Sequence, residues 1–271
     1  MQQGIAFIGG GNMASAIIGG LLKQGWPVSH IEVVEPFDEA RAKLSSQFGI
    51  SAQAQAGSFL TRANLVVWAV KPQTFKDAAA QTQAHTHPAL HLSVAAGIRS
   101  DTIAQWLGSE RVVRAMPNTP ALIGKGITAL FARAAVNEAD KALVNQVLGS
   151  TGELMWVGVE DHIDAVTALS GSGPAYMFYF MESMREAGNG MGLEPAQAYR
   201  LAVATFIGAG ELAKASPESP ETLRQRVTSK GGTTYAALSA MEASGIKPAF
   251  IAAMQAAHAR AREMGQEFGA G

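Results

Sequence analysis

Gly4-Ile5-Ala6-Phe7-Ile8-Gly9-Gly10-Gly11-Asn12-Met13-Ala14 joins a strand-length apolar run to a glycine turn and the first residues of a helix. From Asn12, the residues Ala16, Ile17, Leu21 and Leu22 keep helical spacing, which places the turn between the two elements. Such a turn is laid out to meet a phosphate. Gly9 permits the tight bend, Gly11 lets the backbone approach a pyrophosphate, and Ala14 stands in for a third glycine where helix and strand pack. The helix start then faces an anion with free N–H groups and the positive end of its dipole. The G-x-G-x-x-A spacing alone is weak evidence. Placed after a strand and opening a helix, it predicts a Rossmann-type, doubly wound α/β fold that binds a dinucleotide through Gly9, Gly10, Gly11, Asn12, Met13 and Ala14.

Working outward, Gly25-Trp26-Pro27 ends the first helix, and Ile31-Glu32-Val33-Val34-Glu35 reads as a second strand stopped by Pro36. This completes a βαβ unit of the expected size. Glu35 stands where such folds put the acid that reads the ribose. A carboxylate there accepts a hydrogen bond from a 2′-hydroxyl and repels a 2′-phosphate, which favours NADH. Arg41 or Lys43 on the next helix could instead fold over and hold the phosphate of NADPH.

Residues 38–48 read as a helix and Gly49-Ile50-Ser51-Ala52 as a short third strand. Leu65-Val66-Val67-Trp68-Ala69-Val70 is almost continuously apolar, as a parallel strand covered on both faces should be. It ends at Lys71-Pro72. Strand patterns recur at residues 90–95, ending at Gly97, and at 111–115, ending at Met116-Pro117-Asn118-Thr119-Pro120. Ligands of open α/β sheets bind outside the carboxyl ends of the strands. Ala69-Val70-Lys71-Pro72, Ala95-Ala96-Gly97 and the loop around Asn118 should therefore line one crevice. Residues 127–131, a helix over 138–148 and residues 153–157 extend the sheet.

Strand signals then cease, and the pattern is helical to the end. The expected domains are 1–160, binding the dinucleotide, and 161–271, helical, for dimerisation and substrate binding. Residues 201–210, Leu-Ala-Val-Ala-Thr-Phe-Ile-Gly-Ala-Gly, are apolar almost all round and should be buried on every side. About a hundred residues of bundle could hardly enclose that helix, so an intertwined homodimer is expected.

Composition narrows the function. The 271 residues carry a net charge of −1 and no long basic block, which favours neither a nucleic acid nor an anionic membrane as partner. The absence of cysteine removes disulfides, thiolate nucleophiles and thiolate metal sites together. It fits a cytoplasmic location. The chain shows no leader pattern and no uninterrupted apolar run of about 18 residues, so neither secretion nor membrane spanning is expected. His85 and His87 lack the spacing and the acidic neighbours of a metal site, whereas His162 is worth testing at the domain junction.

Two loops of the second half remain. Ser170-Gly171-Ser172-Gly173-Pro174 offers either a platform for nicotinamide and substrate or a structural hinge. Ser229-Lys230-Gly231-Gly232-Thr233-Thr234 opens a helix and would suit a small carboxylate, although helix caps share that composition.

These motifs, in this order and spacing, resemble those of pyrroline-5-carboxylate reductases, and the resemblance covers almost the whole chain. It implies an N-terminal Rossmann domain, a C-terminal dimerisation domain and dimers often assembled into decamers. The implied reaction is NAD(P)H-dependent reduction of 1-pyrroline-5-carboxylate to L-proline, the last step of proline biosynthesis. By motif, Ser229, Gly231, Gly232, Thr233 and Thr234 would hold the substrate from the partner subunit, with Ser170, Gly171, Ser172, Gly173 and Glu160 contributing. Thr234 would hydrogen-bond the ring nitrogen. Lys230 departs from the family by replacing a proline. Glu35-Pro36 departs by replacing the small hydroxyl residues that read NADPH.

The residues also support an imine substrate. Reducing a ketone needs a positioned acid, commonly Lys or His. No lysine lies between Lys141 and Lys214, which opposes a 3-hydroxyacid dehydrogenase. A non-catalytic nucleotide-sensing module would be expected to lack the loop at Ser229.

Overall fold

The structure, a computed structural model, describes residues 4–269. The chain divides into two compact units. One runs to Ser172 and takes up the chain again from Ala257, and the other is Gly173–Ala256.

The first unit alternates strand and helix. In order it contains β1 (Gly4–Ile8), α1 (Asn12–Lys23), β2 (Ile31–Val34), α2 (Asp38–Phe48), β3 (Ala63–Trp68), α3 (Pro72–Thr86), β4 (Leu90–Ser93) and α4 (Ser100–Leu107). Then come β5 (Val112–Met116), β6 (Gly126–Ala132), α5 (Glu138–Leu148), β7 (Gly152–Trp156) and α6 (Asp161–Val166). The seven strands form one sheet in the order β2-β1-β3-β4-β5-β6-β7. Every neighbouring pair is parallel except β5 with β6.

Alternation along each strand sends side chains to opposite faces. Ile5, Phe7, Leu65 and Val67 pack with Ile17, Ile18 and Leu21 of α1 and Val144 and Val147 of α5. Ala6, Ile8, Val66 and Trp68 pack with Phe75 and Ala79 of α3 and Ile103 and Leu107 of α4. Burial on both faces explains the nearly continuous apolar runs of these strands. The order reverses at β1, which pairs β2 on one side and β3 on the other. The fold is therefore doubly wound, with its switch point at the glycine turn.

One expectation is corrected. Residues 49–52 do not form a strand. Gly49 closes α2 in the left-handed conformation (φ 68°) and Ile50 turns into the core, leaving Gln53 alone to pair with Val34. The compact unit runs on to Ser172, and Arg114 of β5 holds both Glu160 and Asp164 within it.

The second unit holds α7 (Gly173–Gly190), α8 (Pro195–Ala215), α9 (Pro220–Arg226), α10 (Thr233–Ala243) and the start of α11 (Ile246–Gly269). Within the chain, α8 buries only Ala198 and Ala202. Leu201, Ile207 and Leu212 are each more than half exposed, so the all-round burial expected of α8 is not met inside one chain. No helix among the described residues is long and apolar enough to cross a membrane.

Candidate active site

At the carboxyl end of β1, Gly9 takes φ +95°, and an added Cβ would stand 2.6 Å from the Ala69 carbonyl oxygen. Its N–H donates to Val34 O while Ala69 N–H donates to Ile8 O, so the turn is laced to the strands on both sides. Gly11 caps α1 without a side-chain hydrogen bond, and an added Cβ there would meet nothing within 4 Å. The first bond into α1 is Ser15 N–H to Gly11 O, so the N–H groups of Asn12, Met13 and Ala14 precede it. Ala14 is fully buried against the strands. A pyrophosphate fits this cradle of open backbone and helix dipole.

Glu35 is only 5% exposed. Its Oε2 accepts from Gly10 N–H at 2.7 Å and its Oε1 from Phe37 N–H at 2.9 Å. The acid therefore braces the glycine turn.

β3, β4 and β5 are adjacent and parallel, so the loops that follow them share one edge of the sheet. These are Ala69-Val70-Lys71-Pro72, with Pro72 starting α3, then Ala95-Ala96-Gly97, then the loop around Asn118. Gly97 is again left-handed (φ +78°), with Met264 packed where a side chain would stand.

Asn118 spends both ends of its amide inside the protein. Nδ2 donates to Ser170 O at 3.1 Å, and Oδ1 accepts from Ile127 N–H at 3.0 Å. Ser170 and Gly171 lie in a π-helical turn over Thr167–Gly171, closed by Ser172 N–H to Thr167 O. Such turns often mark functional positions. Gly171 is packed on Met116, whose Cε lies 2.5 Å from where a Cβ would sit.

Glu160 is a buried clamp. Oε1 accepts from Ser100 N–H at 2.7 Å and from Arg114 at 3.1 Å, and Oε2 accepts from Ser100 Oγ at 2.6 Å. Arg114, 1% exposed, also donates to Asp164 at 2.8 Å. The carboxylate expected to contact the ligand is thus committed to the start of α4 and to β5. His162 is exposed at the start of α6. Beside it, the Arg99 hydrogen bond holds the Asp161 carboxyl below the usual carboxylate range.

The second unit carries Gly173, which starts α7, and the loop from Ser229. Gly231 is left-handed (φ +77°), and Gly232 is the N-cap of α10 without a side-chain cap. Gly232 N–H already donates to Ser229 O, so it is not among the open donors expected there. Those are the N–H groups of Thr233, Thr234 and Tyr235, ahead of the first helical bond from Ala236 to Gly232 O. Ser229, Gly231 and Thr233 are exposed and Thr234 is half-buried.

Arg114 and His91 are among the buried polar residues not singled out from the sequence. Arg114 interrupts Val112-Val113-Arg114-Ala115-Met116 and His91 interrupts Leu90-His91-Leu92, and a charged or polar residue inside an apolar strand is the signal for both.

A glycine-turn Rossmann unit followed by a helical unit is a plan shared by dinucleotide-dependent oxidoreductases. A family model for NADP oxidoreductases, coenzyme F420-dependent, matches residues 4–97, and one for pyrroline-5-carboxylate reductase dimerisation matches residues 160–264. A pyrroline-5-carboxylate reductase of Pseudomonas aeruginosa is 42% identical over 98% of both chains. The solved pyrroline-5-carboxylate reductase of Coxiella burnetii is 36% identical, with TM-score 0.89 over 97% of this chain and 99% of that one. The Plasmodium falciparum pyrroline carboxylate reductase, solved with NADP bound, is 27% identical, with TM-score 0.88 over 98% and 99%. This chain belongs to the pyrroline-5-carboxylate reductase family.

Proposed function

We propose that this protein reduces 1-pyrroline-5-carboxylate to L-proline with a reduced nicotinamide dinucleotide, closing proline biosynthesis. The observation that carries this furthest is the near full-length similarity to reductases of that name. The dinucleotide would lie across the carboxyl edge of the sheet, its pyrophosphate on the open N–H groups of Asn12, Met13 and Ala14. A reduced dinucleotide held there would supply the hydride.

The substrate arrives as a ring iminium with a carboxylate. Backbone N–H groups of Thr233 and Thr234 at the start of α10 hold the carboxylate, and Thr234 Oγ1 accepts a hydrogen bond from the ring N–H. The hydride adds to the C=N carbon, the π pair moves to nitrogen, and the secondary amine of proline results. No side-chain acid is required, in keeping with a lysine-free stretch from Lys141 to Lys214. Ser229 and Gly231 shape the loop, which a partner subunit would supply to the crevice. Asn118 and Glu160 act by positioning.

The assembly we propose is an intertwined homodimer, with dimers joining as decamers, in the cytoplasm. The activity test offers NADH and NADPH with pyrroline-5-carboxylate and, separately, with a 3-oxoacid. Imine-dependent oxidation is expected, and oxidation with the 3-oxoacid alone would reject the reading. Thr234→Ala should lower kcat/KM by about 10²-fold or more.

A further inference from the structure

Immediately after β2, the chain builds a turn whose three carboxylates, Glu35, Asp38 and Glu39, would oppose a second phosphate. Glu35 is buried and anchored by Gly10 and Phe37 N–H. Asp38 and Glu39 follow in the first turn of α2. A shallow depression is lined by Pro36, Phe37, Asp38, Glu39 and Ala40. A phosphate seated there would face carboxylates on its near side.

The cations that could compensate are spent or turned away. Arg41 folds back on the turn, as a phosphate-reading arginine would, but its Nη1 donates to Glu35 O at 2.9 Å and to Pro36 O at 2.8 Å. Its Nη2 pairs with Asp38. Lys43 lies two residues further along α2, roughly 200° around the helix from Arg41. It therefore points away from the side that Arg41 occupies. The backbone of the turn is fixed as well, since Glu35 N–H donates to Gln53 O and Arg41 N–H to Phe37 O.

Resting on the reading of the chain as a dinucleotide-dependent reductase, we propose that this turn selects the dinucleotide with a free ribose 2′-hydroxyl, NADH, over the 2′-phosphorylated NADPH. Each Glu35 oxygen receives one backbone donor and keeps a further lone pair for a ribose hydroxyl. Selection is by repulsion as much as by attraction, through charges on the competitor's side of the site.

Fluorescence titration of the purified protein with each reduced dinucleotide tests this. NADH should bind at least about tenfold tighter than NADPH at low salt, the scale of one unpaired charge at a partly exposed site. Raising the ionic strength should narrow the ratio, because the Debye length falls to about 10 Å at 0.1 M and the repulsion is screened. Glu35 substitution would disturb the glycine turn itself, so the informative variant is Asp38→Asn with Glu39→Gln, both at the outer rim. That variant should tighten NADPH several-fold and leave NADH unchanged. NADPH binding as tight as NADH, or a ratio unmoved in the double variant, overturns the selectivity while the reductase reading stands. Binding of neither dinucleotide overturns both.

Discussion

At Gly11 an added methyl group would meet open space, whereas at Gly9 it would press on the Ala69 carbonyl in a backbone conformation that L-residues rarely adopt. Gly11→Ala should therefore leave Tm unchanged yet weaken dinucleotide binding by about tenfold or more, since the methyl stands where the pyrophosphate approaches. Gly9→Ala should instead lose about 1–3 kcal/mol of stability through backbone strain alone. Calorimetry beside a binding titration separates the two, and a large Tm loss in Gly11→Ala would contradict the open cradle. His91 offers a pH test. Burial lowers its pKa to about 4, and its Nδ1 accepts from Trp68 Nε1 at 3.1 Å. The unfolded side chain takes its proton near pH 6.5, so between 6.5 and 4 the unfolded state binds more protons and stability is lost as the pH is lowered. The slope is about 1.4 kcal/mol per pH unit. His91→Asn keeps an acceptor for Trp68 and should show a shallower fall in Tm from pH 6.5 to 4.5.

Among the elements, β5 carries the most consequential side chain. Arg114→Met would leave Glu160 and Asp164 buried without their shared cation, at a cost of about 3–5 kcal/mol in urea unfolding. Asn118→Asp would keep the bond from Ile127 N–H but set a carboxylate against Ser170 O, so kcat should fall while dinucleotide affinity holds. The glycine turn, the helix over residues 38–48 and that over 138–148 were legible because each carries its own local signal. In the structure the last of these is closed by an Asn137–Asp140 capping box. Residues 49–52 were misread because Ile50 is apolar for the sake of the core, and an edge strand reduced to the single pair Val34–Gln53 has no period to read. The tasks of Glu160 and Asn118 were illegible for another reason. Their partners Ser100, Arg114 and Ser170 lie far off in sequence, and no local pattern announces a long-range hydrogen bond.

At the scale of the molecule, the helical unit leaves apolar side chains outward that a single chain cannot cover. Phe178 and Tyr179 of α7 and Ile207 and Leu212 of α8 are each more than half exposed, within the span matched by the dimerisation model. Ile207→Glu should shift the protein toward smaller species in light scattering, and activity should fall with it if the loop at Ser229 serves the partner's crevice. A dimer equally stable in that variant would place the contact elsewhere. The proposed division of labour between the units then becomes measurable: the sheet edge would bind the dinucleotide, and the start of α10 would orient the imine. The most direct test of the whole account is the stoichiometry of the reaction, with dinucleotide oxidation and L-proline formation followed together after adding pyrroline-5-carboxylate. The account requires one L-proline for each dinucleotide oxidised and no oxidation without the imine. Absence of L-proline with either dinucleotide would contradict it.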